Sequence, residues 1–223
     1  MSDEPHQVVP FRTRMPRGQG HLRRPEILAA AKELFLADGY EAFTTRKLAT
    51  RVGLSQTGLY VYFRSKEELL DALCRQSFAA LAEDFRRAVG ETSGGMSRLR
   101  ALGLAYIEFG LAHPDEYRLT FLEGPGLNKM EQPASAADPN GPPEQPGVGN
   151  QVFLIIRTEL ERLAETVALR RADLTVATHT VWFGLHGLVS TFIARPAYLK
   201  ADREALIEDL LDSLENSLRV HPT

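Results

Sequence analysis

The chain has 223 residues, 43% hydrophobic and 25% charged, with a formal net charge of −3. This is an ordinary globular composition with material for a core, and no apolar run approaches the roughly 20 residues that would span a bilayer. A single cysteine, Cys74, excludes an internal disulfide, fits a reducing cytoplasm and reads as a buried small hydrophobe.

Charge is unevenly placed. Residues 11–66 hold eleven Lys/Arg and four Asp/Glu, a balance of +7; the rest holds 26 − 11 = 15 basic and 29 − 4 = 25 acidic residues, a balance of −10. A basic front on an acidic body points to a nucleic-acid footprint joined to a part that binds something else.

Residues 1–23 are expected to form a disordered basic arm. Pro5, Pro10, Pro16, Gly18 and Gly20 interrupt any period, and no secretory apolar segment is present. The spacing then predicts a helix starting at Pro25, with Ile27, Leu28, Ala31, Leu34 and Phe35 on one face and Gly39 as its stop. Thr44 caps a short second helix with Leu48 and Val52 inward; Gly53 ends it and Ser55 caps a third. Ser65 and Glu68 form a capping box, and the long helix behind it turns Leu69, Leu70, Leu73, Phe78, Leu81 and Phe85 inward until Gly90. Further helices are expected at 97–113, from Pro114, and at 151–170, 172–194 and 202–219. Between them, 124–150 holds six of the 13 prolines and five glycines without apolar period, the composition of a mobile or disordered insert. Nothing alternates as a strand does, so the fold class is all-α, with about nine helices.

Two short helices joined by a glycine turn and followed by a capped third, over residues 44–68, suit a helix-turn-helix. That motif lays the front of one helix in the DNA major groove. Thr44 and Thr45, followed by Arg46 and Lys47, stand where a helix N-terminus attracts phosphate. At the front of the third helix, Gln56 can pair bidentately with adenine, and Thr57 can offer its hydroxyl or its methyl. Gly58 costs about 1 kcal/mol against alanine in a helix. Close approach to DNA and close packing on the second helix would each account for it. Leu59 and Phe63 are core, whereas Tyr60 and Tyr62 point elsewhere and can donate to phosphates. Lys66 opposes the dipole of the helix it opens, a conflict that a nearby anion would relieve.

These residues resemble the DNA-binding domain of the tetracycline-repressor (TetR) family. The resemblance covers 25–70 and rests on ILAAAKELFLADGYEAFTTRKLA, the GLS turn and LYVYFRSKEEL. It implies that 24–70 is the DNA-binding domain, that Tyr60 and Lys66 contact phosphates, and that Gln56 and Thr57 face bases. The chain departs from the family pattern at Val61 and Tyr62, where an aromatic residue and a histidine are frequent. The resemblance also implies that 71–219 form a helical ligand-binding and dimerisation domain. There, HPDEYRLTF and WFGLHGLVS are similar to a recurrent subtype with a Trp…His-Gly motif.

Spacing adds an independent reading of that body. Ala177, Val181, Gly184, Leu188 and Thr191 define a smooth helix face, expected to meet a second subunit. Leu206, Ile207, Leu210, Leu211, Leu214 and Leu218 repeat the pattern, giving the isologous four-helix interface of a two-fold dimer. Trp182, His186, Val189 and Ile193 are expected to face the chain's own core or pocket. Phe85, Tyr106, Phe109, Tyr117, Phe121, Phe153 and Trp182 are candidate lining for an effector cavity, with His186 as its polar handle. His179 and His186 lack further ligands at metal spacing, so neither metal nor cofactor is expected. No nucleophile–base set suggests an enzyme. The expectation is a cytoplasmic homodimeric repressor, released from a near-palindromic operator by a small apolar or amphipathic effector. The alternative is a DNA-bound recruiter governed by a protein partner.

Overall fold

The computed structural model describes residues 20–122, 148–167, 169–170 and 173–219. Residues 1–19 of the expected arm and 124–147 of the expected insert lie outside the described residues. The chain divides into two compact units after Ala72.

The first unit contains α1 (Gly20–Ala42), α2 (Thr45–Arg51), α3 (Gln56–Tyr60) and the opening of α4 (Lys66–Gly90). Helix α1 begins five residues before the expected start, so Pro25 lies inside it. A proline there cannot bond the carbonyl four residues back, and the Arg23–Glu26 ion pair (2.8 Å) crosses the same turn. The break at Gly39 has φ +76° and ψ 170°, backbone that favours glycine. Behind it Phe35 and Phe43 stack with ring centroids 3.9 Å apart. Ile27, Ala31, Leu48, Leu59, Phe63, Leu69 and Leu70 complete the core.

The remainder of α4 belongs to the second unit, with α5 (Met96–Ala112) and α6 (Pro114–Tyr117), which passes into a π-helical turn at Arg118–Leu122. Next come α7 (Val148–Thr166), α8 (Leu174–Ala194), a 3₁₀ turn at Pro196–Tyr198, and α9 (Arg203–Leu218). Asp173 and Asp202 cap α8 and α9, accepting from Thr175 N (2.8 Å) and Ala205 N (3.0 Å). Carboxylate caps satisfy N–H groups that a helix cannot bond itself.

Helix α5 packs on α7, α8 and α9. Two glycines seven residues apart make this possible. A methyl on Gly103 would stand 2.6 Å from Leu211 Cδ2, and one on Gly110 would collide with Val189. Arg100, also on α5, pairs with Glu208, Asp212 (2.8 Å) and Glu215 (3.2 Å) of α9. Among the described residues the only β-type pairing is one bridge, Leu169 to Arg219, and no helix is long and apolar enough to cross a membrane.

Candidate nucleic-acid interface

Helices α2 and α3 start from side-chain caps. Thr44 Oγ1 accepts from Lys47 N (3.2 Å) and Ser55 Oγ from Gly58 N (3.0 Å). Each cap occupies an oxygen lone pair and leaves a hydroxyl hydrogen to donate. Between the caps, three of the expected contact residues meet. Gln56 Nε2 donates to Tyr60 Oη at 3.3 Å, and Tyr60 Oη lies 3.5 Å from Thr45 Oγ1. These bonds, with Thr45's first, hold the exposed Tyr60 phenol below its ordinary pKa. Thr57 is exposed beside them.

The cations divide. Lys47 is held by Asp38 (2.9 Å) and the Ala42 carbonyl (3.4 Å). Arg51 is held by Glu33 (2.8 Å). Arg46 is exposed, on a groove of about 400 Å³ that Leu34, Thr44, Lys47, Thr50 and Arg51 also line. Lys66 Nζ lies 3.7 Å from the centre of the Tyr40 ring, so its charge is met within the chain by a π face. That contact eases the dipole conflict without an external anion.

The nearest atoms to a methyl built on Gly58 are Ser55 Oγ at 3.1 Å and Leu54 carbons at 3.9 Å, with no atom of α2 closer than these. The tightest neighbour of this glycine is thus the Ser55 cap and not the second helix. Val61, where the chain departs from the family pattern, is an apolar residue 80% exposed next to the third helix. Tyr62 is half-buried, and its carbonyl accepts from Arg24 Nη1 (2.5 Å). Arg24 also covers the Phe63 ring (4.1 Å), a tie invisible in sequence because 38 residues separate donor and acceptor. The expected capping box forms on one side only. Glu68 N donates to Ser65 Oγ (3.2 Å), but the Glu68 carboxylate accepts from Arg64 N (2.7 Å) instead of Ser65 N.

In the second unit, five of the eight expected cavity residues assemble. Tyr117 Oη lies 2.6 Å from His186 Nδ1 and 2.9 Å from Tyr106 Oη, while Tyr106 Oη is 3.1 Å from the same nitrogen. Trp182 stacks on the His186 ring (4.9 Å), and Phe121 lies 4.7 Å from Tyr117. Ser190 Oγ, which periodicity did not single out, faces His186 Nε2 at 3.3 Å. Burial lowers the His186 pKa and pushes Tyr117 up to about 12, so a neutral imidazole meets two protonated phenols. Phe85 adjoins Tyr106 (6.5 Å), whereas Phe109 pairs with His113 (5.5 Å) and Phe153 with His179 (4.9 Å), which is linked to Trp182 through Phe183 (5.7 and 5.4 Å). Among the described residues no group of three or more His, Cys, Asp or Glu could hold a metal.

The expected subunit face of α8 is unevenly covered by its own chain. Ala177 is 0% exposed and Val181 3%, and on α9 Leu211, Leu214 and Leu218 are likewise buried within their own chain. Side chains so covered have no area left for a partner. Gly184 packs under Leu210 and Leu214, while Leu188, Thr191 and Leu210 keep partial exposure. The open side of α8 runs one residue earlier, through Val176, Thr180, Phe183 and Gly187. One residue is about 100° of helix. Both sides carry apolar residues, so spacing alone could not tell the inner from the outer.

Comparison with known proteins agrees with both units. A family profile described as "Bacterial regulatory proteins, tetR family" matches residues 27–73. A second, "Tetracyclin repressor-like, C-terminal domain", matches residues 99–214. The "HTH-type transcriptional activator FasR" of Mycolicibacterium smegmatis is 37% identical over 109 residues, 48% of each chain. The "HTH-type transcriptional repressor KstR2" of Mycobacterium tuberculosis is 36% identical over 91 residues, 41% of this chain and 46% of the relative. These matches thus span about half the length of the curated relatives. A solved structure of a Rhodococcus sp. RHA1 protein of unknown function superposes with a TM-score of 0.71. It is 24% identical and covers 92% of this chain and 98% of that one, a likeness of fold. With the helical body matched over more than half of its length and the three-helix unit matched ahead of it, the chain belongs to the tetracycline-repressor (TetR) family of bacterial regulators.

Proposed function

We propose that the protein is a sequence-specific DNA-binding transcriptional regulator that works as a homodimer. In this reading 24–70 form the DNA-binding domain and 71–219 the effector-binding and dimerisation domain. The observation that carries the reading is the exposed front of α2 and α3, where Thr45, Gln56 and Tyr60 interlock between two capped helix starts. Gln56 and Thr57 face bases. Thr44, Thr45, Arg46, Lys47, Tyr60, Tyr62 and Lys66 hold the backbone, and Gly58 admits close approach. Lys47 leaves Asp38 to do so, exchanging one anion for another.

Repression, with release by a small apolar or amphipathic effector, is the mode proposed; related proteins named as activator and as repressor support regulation in either direction. The Trp182–His186–Gly187 pattern is proposed to mark a subtype, because it builds the cluster in which Tyr106, Tyr117 and His186 would orient such an effector. Helix α4 contributes residues to both units, so an effector that binds two α4 positions unequally would change the affinity for DNA. Recruitment by a protein partner is the competing reading, and a ligand screen by thermal shift separates the two.

Selection from random duplexes tests the core of the proposal. Enrichment of a near-palindromic sequence is expected, with affinity falling steeply as salt rises. Gln56→Ala should cost about 1–3 kcal/mol at one base position only. Failure to enrich any duplex, with or without effectors, would overturn the assignment.

A further inference from the structure

Tyr60 has a second task available besides donating to a phosphate. Its hydroxyl accepts from Gln56 Nε2 at 3.3 Å across one turn of α3 and lies 3.5 Å from Thr45 Oγ1 at the start of α2. The side chain is 43% exposed, so burial does not demand either bond.

A glutamine amide has two N–H donors and one carbonyl acceptor. With one N–H given to Tyr60, one N–H and Oε1 remain, and neither makes a hydrogen bond among the described residues. One donor beside one acceptor is the complement of adenine's N7 and N6–H₂ in the major groove. A glutamine free to rotate can also turn its carbonyl alone toward a cytosine amine, or an N–H alone toward a guanine or thymine oxygen. A held amide loses those options. Rejection of the wrong base depends on that fixity as much as on the bond to the right one.

We propose that Tyr60 is a specificity-positioning residue, whose hydroxyl holds the Gln56 amide so that this position reads adenine and rejects the other bases. Thr45 is the third member of the chain: it fixes the phenol, which fixes the amide. This rests on the DNA-reading assignment above and names the base that assignment leaves open.

The test is Tyr60→Phe, which deletes the hydroxyl and keeps the ring, in the full-length protein on the selected duplex. Binding is measured on that duplex and on three versions altered at the base pair that Gln56→Ala identifies. Wild type should prefer A·T there by tenfold or more, the size of one good bidentate pair. Tyr60→Phe should shrink that preference several-fold, Thr45→Val should shrink it less, and adding Tyr60→Phe to Gln56→Ala should change it no further. Equal weakening on all four duplexes, with the preference intact, would make Tyr60 a phosphate contact alone and overturn the inference. So would a preferred base other than adenine. Were wild type to select no duplex at all, the regulator assignment would fall with it. Unchanged circular dichroism keeps a folding defect out of the comparison.

Discussion

Lys66 separates two physical roles within one side chain. Its ammonium sits 3.7 Å over the Tyr40 ring, a contact worth about 0.5–1 kcal/mol at an exposed site. Lys66→Ala should therefore lower stability by about that amount, read by chemical denaturation. If Lys66 also meets a phosphate, the same substitution should weaken binding to all duplexes and reduce the slope of log affinity against log salt by about 1. A stability loss with an unchanged slope would leave the lysine a purely internal role. Gly58 makes the opposite case. Since the tightest neighbour of its missing methyl is the Ser55 hydroxyl at 3.1 Å, which can shift slightly, Gly58→Ala should change stability by less than about 1 kcal/mol. DNA affinity should nonetheless fall, measured by fluorescence anisotropy. Unimpaired binding would end the case that this glycine exists for close approach.

At the scale of elements, α5 is placed by what it lacks. Gly110→Ala would drive a methyl into Val189, whose branched side chain has little freedom to yield, and toward Tyr117 carbons at 3.1 and 3.2 Å. We expect a loss of about 1–3 kcal/mol in urea unfolding, the usual penalty for overpacking. On α8 the contrast lies between neighbouring faces. Phe183 is 60% exposed, so Phe183→Asp should leave folding within about 0.5 kcal/mol. It should also shift sedimentation from dimer to monomer if the open face is the subunit contact. An unchanged dimer would place the interface elsewhere. Val181→Asp, on the buried side, should impair folding itself.

For the molecule as a whole, pH reports on the buried polar cluster. Burial holds the His186 pKa below its ordinary 6.5, and its hydrogen-bonding neighbours are the hydroxyls of Tyr106, Tyr117 and Ser190. The unfolded chain then binds the proton more readily than the folded one. The contribution of His186 to stability is complete above pH 6.5 and is lost as pH falls through the folded value. A wild-type melting temperature that drops between pH 7 and pH 5, with a shallower drop in His186→Gln, is the expected result. Parallel pH profiles for the two proteins would contradict it. The charge asymmetry also acts at this scale. The basic balance of 11–66 favours encounter with DNA, while the acidic remainder disfavours engagement through the body.

The helical class, the capped starts of α2 and α3 at Thr44 and Ser55, and the inward Leu59 and Phe63 were legible in sequence. Each depends on neighbours within four residues, and local rules govern local bonds. Gly39 was legible too, because a positive φ singles out one residue type. The aromatic cluster was only partly so: composition could nominate eight residues, but which of them meet His186 depends on how α5, α6 and α8 pack. The same limit hid Arg24 on Phe63, Lys66 on Tyr40, Ser190 on His186, and Glu68 on Arg64 rather than Ser65. It also hid that Ala177 and Val181 of α8 are buried within their own chain, since periodicity reports that a side is apolar and not what covers it. Sequence alone determined the helices, their caps and the reading motif, because those follow from short-range backbone chemistry. Tertiary structure decided which apolar face is buried and which polar atoms find each other, because those outcomes depend on packing between segments far apart in the chain.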